Sequence, residues 1–218
     1  MRRAFTLVEL LVVIVVIGVL AGLSAPAINK ALNRGRQAAS ISNLRQIGMS
    51  MLTYASDNQN FFPPRGSTDP VTGETINKWP RQLFDYMPDV RAFVDPSDPK
   101  PKNADPDVFF TNSRNNSSYI FNGFNDLGLF ADPMKRVNMS AITSPSSVIL
   151  FSKKRKDRYD FYMDFLEGKN GNQVDVLDWT TYGNTLHYFF ADGSARWLTL
   201  GEYNAELWLV DKEFDMKK

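Results

Sequence analysis

An uninterrupted apolar run near the start of the chain constrains its fold more than any other feature. Leu10 to Ile28 contains no charged residue and is dominated by valine, isoleucine and leucine. As a helix, residues 5–28 span roughly 36 Å, which is enough to cross a hydrocarbon core of about 30 Å. Arg2 and Arg3 precede the run, so the positive-inside rule predicts a cytoplasmic N-terminus and a C-terminus on the outer side.

Three kinds of segment begin in this way. The first is a cleaved secretory signal, because residues 25–27 read Ala-Pro-Ala after an apolar run. The second is a twin-arginine export signal, since Arg2 and Arg3 fit part of that pattern. The third is an anchor that is retained, with small residues such as Gly18 and Gly22 at spacings that let another helix approach closely.

Glu9 distinguishes between these alternatives. An ionised carboxylate inside a membrane costs about 2.5–3.5 kcal/mol on insertion scales, so it indicates a function. No basic residue lies between Glu9 and Lys30. A cut between Ala4 and Phe5 would expose a protonated α-amine one helical turn before Glu9, in the same subunit or in a neighbouring one. Glu9 therefore favours the retained anchor.

Residues 4–26, AFTLVELLVVIVVIGVLAGLSAP, resemble the signal of type IV prepilins and type II secretion pseudopilins. The resemblance implies that a prepilin peptidase cuts between Ala4 and Phe5 and methylates the new amine of Phe5. It also implies that Glu9 serves assembly and that Pro26 kinks the helix. The last leader residue in this family is usually glycine, whereas here it is Ala4.

A second helical pattern follows the apolar run. Apolar or small residues recur at i, i+3 and i+4, namely Leu44, Ile47, Gly48, Met51, Leu52 and Ala55. This spacing predicts an amphipathic helix over residues 29–56 with one face packed on a globular domain. The segment from Asn60 to Pro64 ends it.

The remaining sequence favours short strands. Ser147–Phe151 is a strand candidate, and two further runs, Leu186–Ala191 and Ser194–Leu198, flank Asp192 and Gly193. Asp-Gly between such runs predicts a hairpin with a two-residue turn. The predicted fold is α+β and pilin-like, with a long N-terminal helix packed on an antiparallel sheet. The predicted divisions are a leader (1–4), a transmembrane helix (5–28), a stalk helix (29–56) and an extracytoplasmic globular domain (57–218).

Parts of the globular region resemble a branch of the same family that has a C-terminal His-X9-Asp-Gly motif. The segment YFFADGSARWL matches the motif's hairpin, with Asp192 and Gly193 as its Asp-Gly pair. The position ten residues before Asp192 is Tyr182, so no role of the family histidine carries over. The segment FVDPSDP resembles the Pro-Ser-Asp loop of this branch. Asp95 stands where a cysteine often precedes the proline of that loop.

Little in the chain indicates catalysis. It has no cysteine, no Gly-X-Ser-X-Gly sequence and one histidine, so we predict no catalytic residues and no enzyme activity. We predict that His187 is a half-buried strand residue rather than a ligand or base. The basic run Lys153–Arg158 is typical of an exposed turn.

The acidic and basic residues are unevenly distributed. Four loop carboxylates, Asp95, Asp98, Asp105 and Asp107, offer oxygen ligands, but their spacing fits no EF-hand. We therefore predict no metal and no cofactor, with calcium as the alternative. All charged residues from Leu10 to Ser56 are basic, and acidic residues predominate among the charged residues after Gly201. Both are typical of solvated surface; the alternative is that they meet between subunits. A net charge of +1 gives no indication of nucleic-acid binding.

These patterns together predict a filament subunit in a bacterial inner membrane, with its globular domain in the periplasm or in an extracellular filament. The resemblance implies four kinds of partner: a prepilin peptidase, identical or related pilin subunits, inner-membrane assembly machinery and the membrane itself. The filament is either a type II secretion pseudopilus or a type IV pilus-like fibre. The alternative is an exported soluble protein that binds a ligand such as a polysaccharide after a conventional signal peptide is removed.

Overall fold

The computed structural model describes residues 7–65, 78–99, 105–111, 117–129, 135–164 and 173–213. The helices are α1 (Leu7–Asp57), α2 (Trp79–Gln82), α3 (Pro106–Thr111) and α4 (Gln173–Val176), and the strands are β1 (Tyr119–Asn122), β2 (Ile149–Lys153), β3 (Tyr162–Met163), β4 (Thr185–Phe190) and β5 (Ala195–Thr199). Two compact units divide the chain, Met1–Ala38 and Ala39–Lys218. Each is described by itself below.

Helix α1 runs through the predicted boundary between membrane segment and stalk without a break. It has 51 residues and ends at Asp57, one residue after the predicted end. Gln59 and Asn60 then adopt positive φ angles of 59° and 64°, which turn the chain out of the helical path. Because both predicted segments belong to one helix, the structure gives no break at residue 28; the domain limits stay predictions.

The second unit contains the part of α1 that packs against the sheet. The buried positions there are Ser40, Leu44, Ile47, Gly48, Met51 and Ala55. Five of these six belong to the predicted apolar face, and the remaining predicted member, Leu52, is half-buried. The i, i+3, i+4 spacing therefore identified the packed face correctly.

Five strands form one sheet in the order β3-β1-β2-β4-β5. The α+β prediction is confirmed, but the sheet is mixed rather than wholly antiparallel. Strands β1, β2, β4 and β5 pair antiparallel, whereas β3 pairs parallel with β1 through Tyr162 and Met163. A two-residue strand carries almost no periodicity, so nothing in the sequence indicated this pair.

The sheet is covered by apolar residues on both faces. One core contains Phe121, Phe151 and Phe189 together with the buried residues of α1. A smaller core on the other face contains Ile149, Tyr188 and Trp208, among others. Helix and sheet are in close contact at Gly48, where an added Cβ would overlap the ring of Phe189. Only glycine fits there without displacing that ring.

Two predicted strand boundaries need correction. The strand expected over 147–151 begins at Ile149, because Pro145 opens a short 3₁₀ turn, Pro145–Ser147, that occupies the first position. The hairpin between β4 and β5 is present, but its loop has three residues, 191–193, instead of two. The Phe190 amide donates to the Ser194 carbonyl (2.9 Å) and the Gly193 amide donates to the Phe190 carbonyl (3.0 Å). Gly193 alone in this loop has positive φ, so the predicted two-residue turn is wrong in its length.

Candidate functional site

The predicted processing site lies at the N-terminal end of α1. Ala4 and Phe5 are outside the described residues, so their arrangement stays a prediction. Glu9 is in the first turn of α1 and is exposed. A carboxylate in this position interacts favourably with the helix dipole, which places partial positive charge at the first turn. The helix thus presents an acidic group at the start of an apolar surface.

The first unit exposes its apolar side chains. Every described residue from Leu7 to Arg36 is exposed, and none of the residues in the most apolar part of the helix is buried. By length and composition, α1 is a helix that can cross a membrane. Contiguous apolar surface on this scale is rare in soluble monomers and marks contact with lipid or with other protein.

Pro26 lies inside this apolar stretch. Helix α1 continues on both sides of it. Because proline has no amide N–H, the carbonyl of Gly22 loses its usual i+4 donor at this point. Nearby, the Ser24 hydroxyl donates to a different carbonyl of the same helix, that of Leu20, at 2.7 Å. The kink expected at Pro26 stays a prediction.

A buried polar cluster in the second unit joins α1 to the sheet, and the sequence did not predict it. Asp95 is its centre: Ser40 of α1 donates to one carboxylate oxygen, and Tyr182 donates to the other at 2.7 Å. The Ser97 amide donates to that second oxygen as well, at 2.8 Å. Ser40 also contacts Nε2 of His187 at 2.8 Å. One carboxylate therefore ties together the helix, its own loop and the segment before β4.

His187 is fully buried on β4, so the prediction of a half-buried residue is wrong. It is 0% exposed, since Ser40, Tyr182 and Trp197 enclose the ring. Burial lowers the pKa of His187 to about 4, against the opposing effect of Asp95. The aromatic enclosure is not apparent from the sequence of the strand, because Tyr182 and Trp197 lie outside it.

The serine, histidine and aspartate of this cluster do not form a catalytic triad. A triad needs the carboxylate on the histidine nitrogen opposite the serine. Here Asp95 accepts from Ser40 itself, and within the described part of the chain Nδ1 of His187 has no hydrogen-bond partner. Ser40 is also 0% exposed, so no substrate reaches its hydroxyl.

Beside this cluster lies a buried cation with two carboxylates. Lys153 is 0% exposed, and its Nζ contacts Asp98 at 3.3 Å and also Asp178. Burial alone would lower the pKa of Lys153, but Asp98 and Asp95 outweigh it and raise the value. For Asp178 burial is likewise outweighed, by hydrogen bonds from Lys153 and Thr181, and its pKa falls to about 2. All of these shifts keep Lys153 and Asp178 charged.

The prediction of an exposed turn for the run 153–158 is therefore wrong at its first two residues. Lys153 ends strand β2, and Lys154 is buried as well, donating to the carbonyl of Arg158 at 2.8 Å. Burial lowers the pKa of Lys154 to about 7. Arg155 and Lys156 are exposed as expected. A run of like charges does not reveal which of its members a strand carries inward.

The loop carboxylates proposed as calcium ligands have protein partners where the structure describes them. Asp95 accepts from hydroxyl groups and Asp98 pairs with Lys153, while Asp105 is exposed. The side chain of Asp107 is outside the described set. No group of three or more candidate ligands that could hold a metal ion occurs among the described residues.

The Asp-Gly pair of the hairpin shapes the loop rather than a site. The carboxylate of Asp192 accepts from the Ser194 amide at 2.9 Å, and Gly193 has a φ of 83°. Its added Cβ would come within 4 Å only of Met49 and Leu52 of α1. The match of this region to the His-X9-Asp-Gly branch stays a prediction.

Comparison with known proteins bears on the N-terminal segment. Residues 1–25 match the family model described as prokaryotic N-terminal methylation motif. No curated protein and no solved structure matches the chain. Of the matched residues, those from Leu7 onward form the apolar, exposed start of α1, with Glu9 among them. The chain therefore carries a prokaryotic N-terminal methylation motif, consistent with a type IV pilin-like prepilin signal, ahead of an α+β domain.

Proposed function

We propose that the chain is a structural subunit of a type II secretion pseudopilus or a type IV pilus-like filament, and not an enzyme. A prepilin peptidase cuts it between Ala4 and Phe5 and methylates Phe5. The processed subunit is held in the bacterial inner membrane, with its second unit on the periplasmic side. Assembly machinery in that membrane then adds it to a filament. Identical or related subunits are its partners there.

One observation carries this proposal: an exposed apolar helix, whose start lies within a methylation motif, has an acidic residue in its first turn. A plain anchor gains nothing from a carboxylate at that depth, because a charge in lipid costs about 2.5–3.5 kcal/mol. A filament subunit does gain from it, because a neighbouring subunit brings a positive charge to the same depth. The Phe5 amine of a neighbouring subunit neutralises Glu9, so docking removes the cost that the membrane imposes.

The rest of the apolar surface also favours assembly into a filament. Leaving the bilayer exposes the side chains of residues 7–28 unless other helices cover them, so the helix passes from lipid into a core of like helices. Gly18 and Gly22 have no heavy atom within 4 Å of an added Cβ. These positions leave room for a second helix to approach closely.

The first experiment is the intact mass and the N-terminal peptide of the protein isolated from its native membrane. The proposal expects a chain that starts at Phe5 and carries one extra methyl group. A start at Pro26 or Ile28 would show instead an exported soluble protein, released after a conventional signal peptide. An unprocessed Met1 would leave a simple anchor and identify Ala4, at the leader position, as the cause.

Substitution of the carboxylate separates anchoring from assembly. Glu9→Leu is expected to keep the chain in the membrane fraction and to raise the subunit concentration needed for assembly about tenfold, a loss of about 1.4 kcal/mol per added subunit, which appears as a loss of sheared filaments. Ser24→Leu is the matched control, because it also replaces a polar residue of the same helix by leucine but removes no charge. Normal filaments from Glu9→Leu would refute the role assigned to Glu9.

A further inference from the structure

Three basic residues directly follow the apolar stretch. Lys30, Arg34 and Arg36 are all exposed, and no acidic residue occurs between Glu9 and Asp57. Within the part of the chain that the structure describes, none of the three forms a salt bridge. Their charge is therefore not neutralised by neighbouring carboxylates of the described fold.

The position of these bases along the helix corresponds to the lipid headgroups. With a rise of 1.5 Å per residue, Lys30 lies about 3 Å beyond Ile28 and Arg36 about 12 Å beyond it. The headgroup layer is roughly 5–8 Å thick on each side, and surface charge acts over a further Debye length of about 8–10 Å. All three bases fall within reach of lipid phosphates when the apolar stretch spans the membrane.

Their distribution around the helix favours lipid over a neighbouring subunit. Lys30 and Arg34 are four residues apart and share one face. Arg36 is turned by about 200° from Arg34, at 3.6 residues per turn, and so lies on the opposite face. Headgroups surround a membrane-spanning helix on all sides, whereas an acidic patch on one neighbouring subunit meets a single face.

We infer that Lys30, Arg34 and Arg36 form a collar that binds the anionic headgroups of phospholipids in the outer leaflet of the membrane. The inference rests on the proposed function, because it requires the apolar stretch to span a bilayer. Each base near an anionic surface gains about 1 kcal/mol, which is about a fivefold preference. The collar holds the subunit at a fixed depth, and it binds phosphate most strongly where anionic lipid is abundant.

The test uses the full chain in vesicles made of equal parts phosphatidylcholine and phosphatidylglycerol. Because the protein has no cysteine, Ala31→Cys gives a single labelling position between the bases. Energy transfer from this label to acyl-chain-labelled phosphatidylglycerol is compared with transfer to equally labelled phosphatidylcholine. We expect transfer to the anionic lipid to be several-fold greater and to fall toward parity at high salt.

Variants locate the effect. Replacing Lys30, Arg34 and Arg36 together by glutamine is expected to abolish the lipid preference, and Arg36→Gln alone is expected to reduce it. Arg45→Gln is the matched control, since Arg45 is an exposed base on the same helix, located in the second unit; the lipid preference should remain unchanged.

Other outcomes separate this inference from the proposed function. Equal transfer to both lipids, from protein that floats with the vesicles, overturns the collar and leaves the anchor intact. Protein that does not float with the vesicles contradicts both. If the triple variant keeps the lipid preference but loses energy transfer between labelled subunits, the bases face a neighbouring subunit and the collar is wrong.

Discussion

The two compact units use burial in opposite ways. In the first, every described side chain from Leu7 to Arg36 is exposed although most are apolar. In the second, Lys153, Asp95 and Asp178 are buried although all three are ionisable. Exposed apolar surface requires another environment to cover it, whereas buried charge requires partners within the same fold. The first unit is thus incomplete by itself, whereas the second pairs these three buried charged groups within its own fold.

The largest expected effect is on the internal pairing of the second unit. Lys153→Met leaves the carboxylates of Asp178 and Asp98 without their cation, which should lower the free energy of unfolding by about 3–5 kcal/mol. Lys156→Met, at an exposed position of the same run, should change it by no more than about 0.5 kcal/mol. Urea titrations of the detergent-solubilised variants measure both, and equal stability of the two would break the comparison.

The next effect depends on pH. The pKa of His187 falls from an ordinary value near 6.5 to about 4 on folding, because burial disfavours the imidazolium. The unfolded chain therefore binds a proton at this residue first, so the contribution of His187 to stability is complete above about pH 6.5 and declines as the pH falls to about 4, by on the order of 3 kcal/mol. A second decline below about pH 4 follows from the lowered pKa of Asp178.

Thermal unfolding across this range checks the titration of His187. His187→Gln lacks the titrating group, so its stability should change less between about pH 6.5 and pH 4 than that of the unaltered chain. The slope is the informative quantity, since the substitution also alters packing and so changes the stability at every pH. An unaltered slope in His187→Gln would assign the decline to another group.

A pair of glycines tests the contrast in packing directly. Gly48→Ala places a methyl group into the ring of Phe189 and should destabilise the second unit by about 1–3 kcal/mol. Gly22→Ala, in the exposed part of the same helix, meets no heavy atom within 4 Å. It should leave the unfolding transition of the second unit unchanged and favour the helix by up to about 1 kcal/mol, measured by circular dichroism.

The smallest expected effect concerns the hairpin loop. Gly193→Ala keeps the loop contacts but puts a Cβ on a residue with a φ of 83°, which should cost about 1 kcal/mol. Gly201→Ala, which meets nothing within 4 Å, is the control and should be near neutral. A neutral Gly193→Ala would mean that the loop changes its turn type at little cost.

Periodicity predicted the parts of the fold that repeat. The face of α1 from Leu44 to Ala55 is identifiable because one side of that helix meets a core, and the strand run 186–190 because it is mostly apolar and aromatic and leads to the Asp-Gly pair. The parallel strand β3 and the loop length at Gly193 depend on contacts between distant segments, which local spacing does not record. The N-terminal motif was recognisable for another reason: Glu9 is conspicuous in an apolar sequence.

The polar cluster was not predictable from sequence in the same way. In the sequence, Asp95 is one of several loop carboxylates, Tyr182 occupies the position of a motif's histidine, and Lys153 belongs to a basic run. No local signal brings these residues together, because each is explained equally well as solvated surface. Only the packing of α1 on the sheet, with Ser40 facing inward, places them in contact.

The bonds of Asp95 and Ser40 have a consequence for how the second unit closes. Ser40 and Asp95 are 55 residues apart in the chain, Asp95 and Tyr182 are 87 apart, and Ser40 and His187 are 147 apart. In many exported domains such long loops are closed by disulfides, but this chain has no cysteine. Hydrogen bonds between these side chains close its loops instead. The domain therefore closes and reopens without any oxidant, and reducing agents leave its fold unchanged.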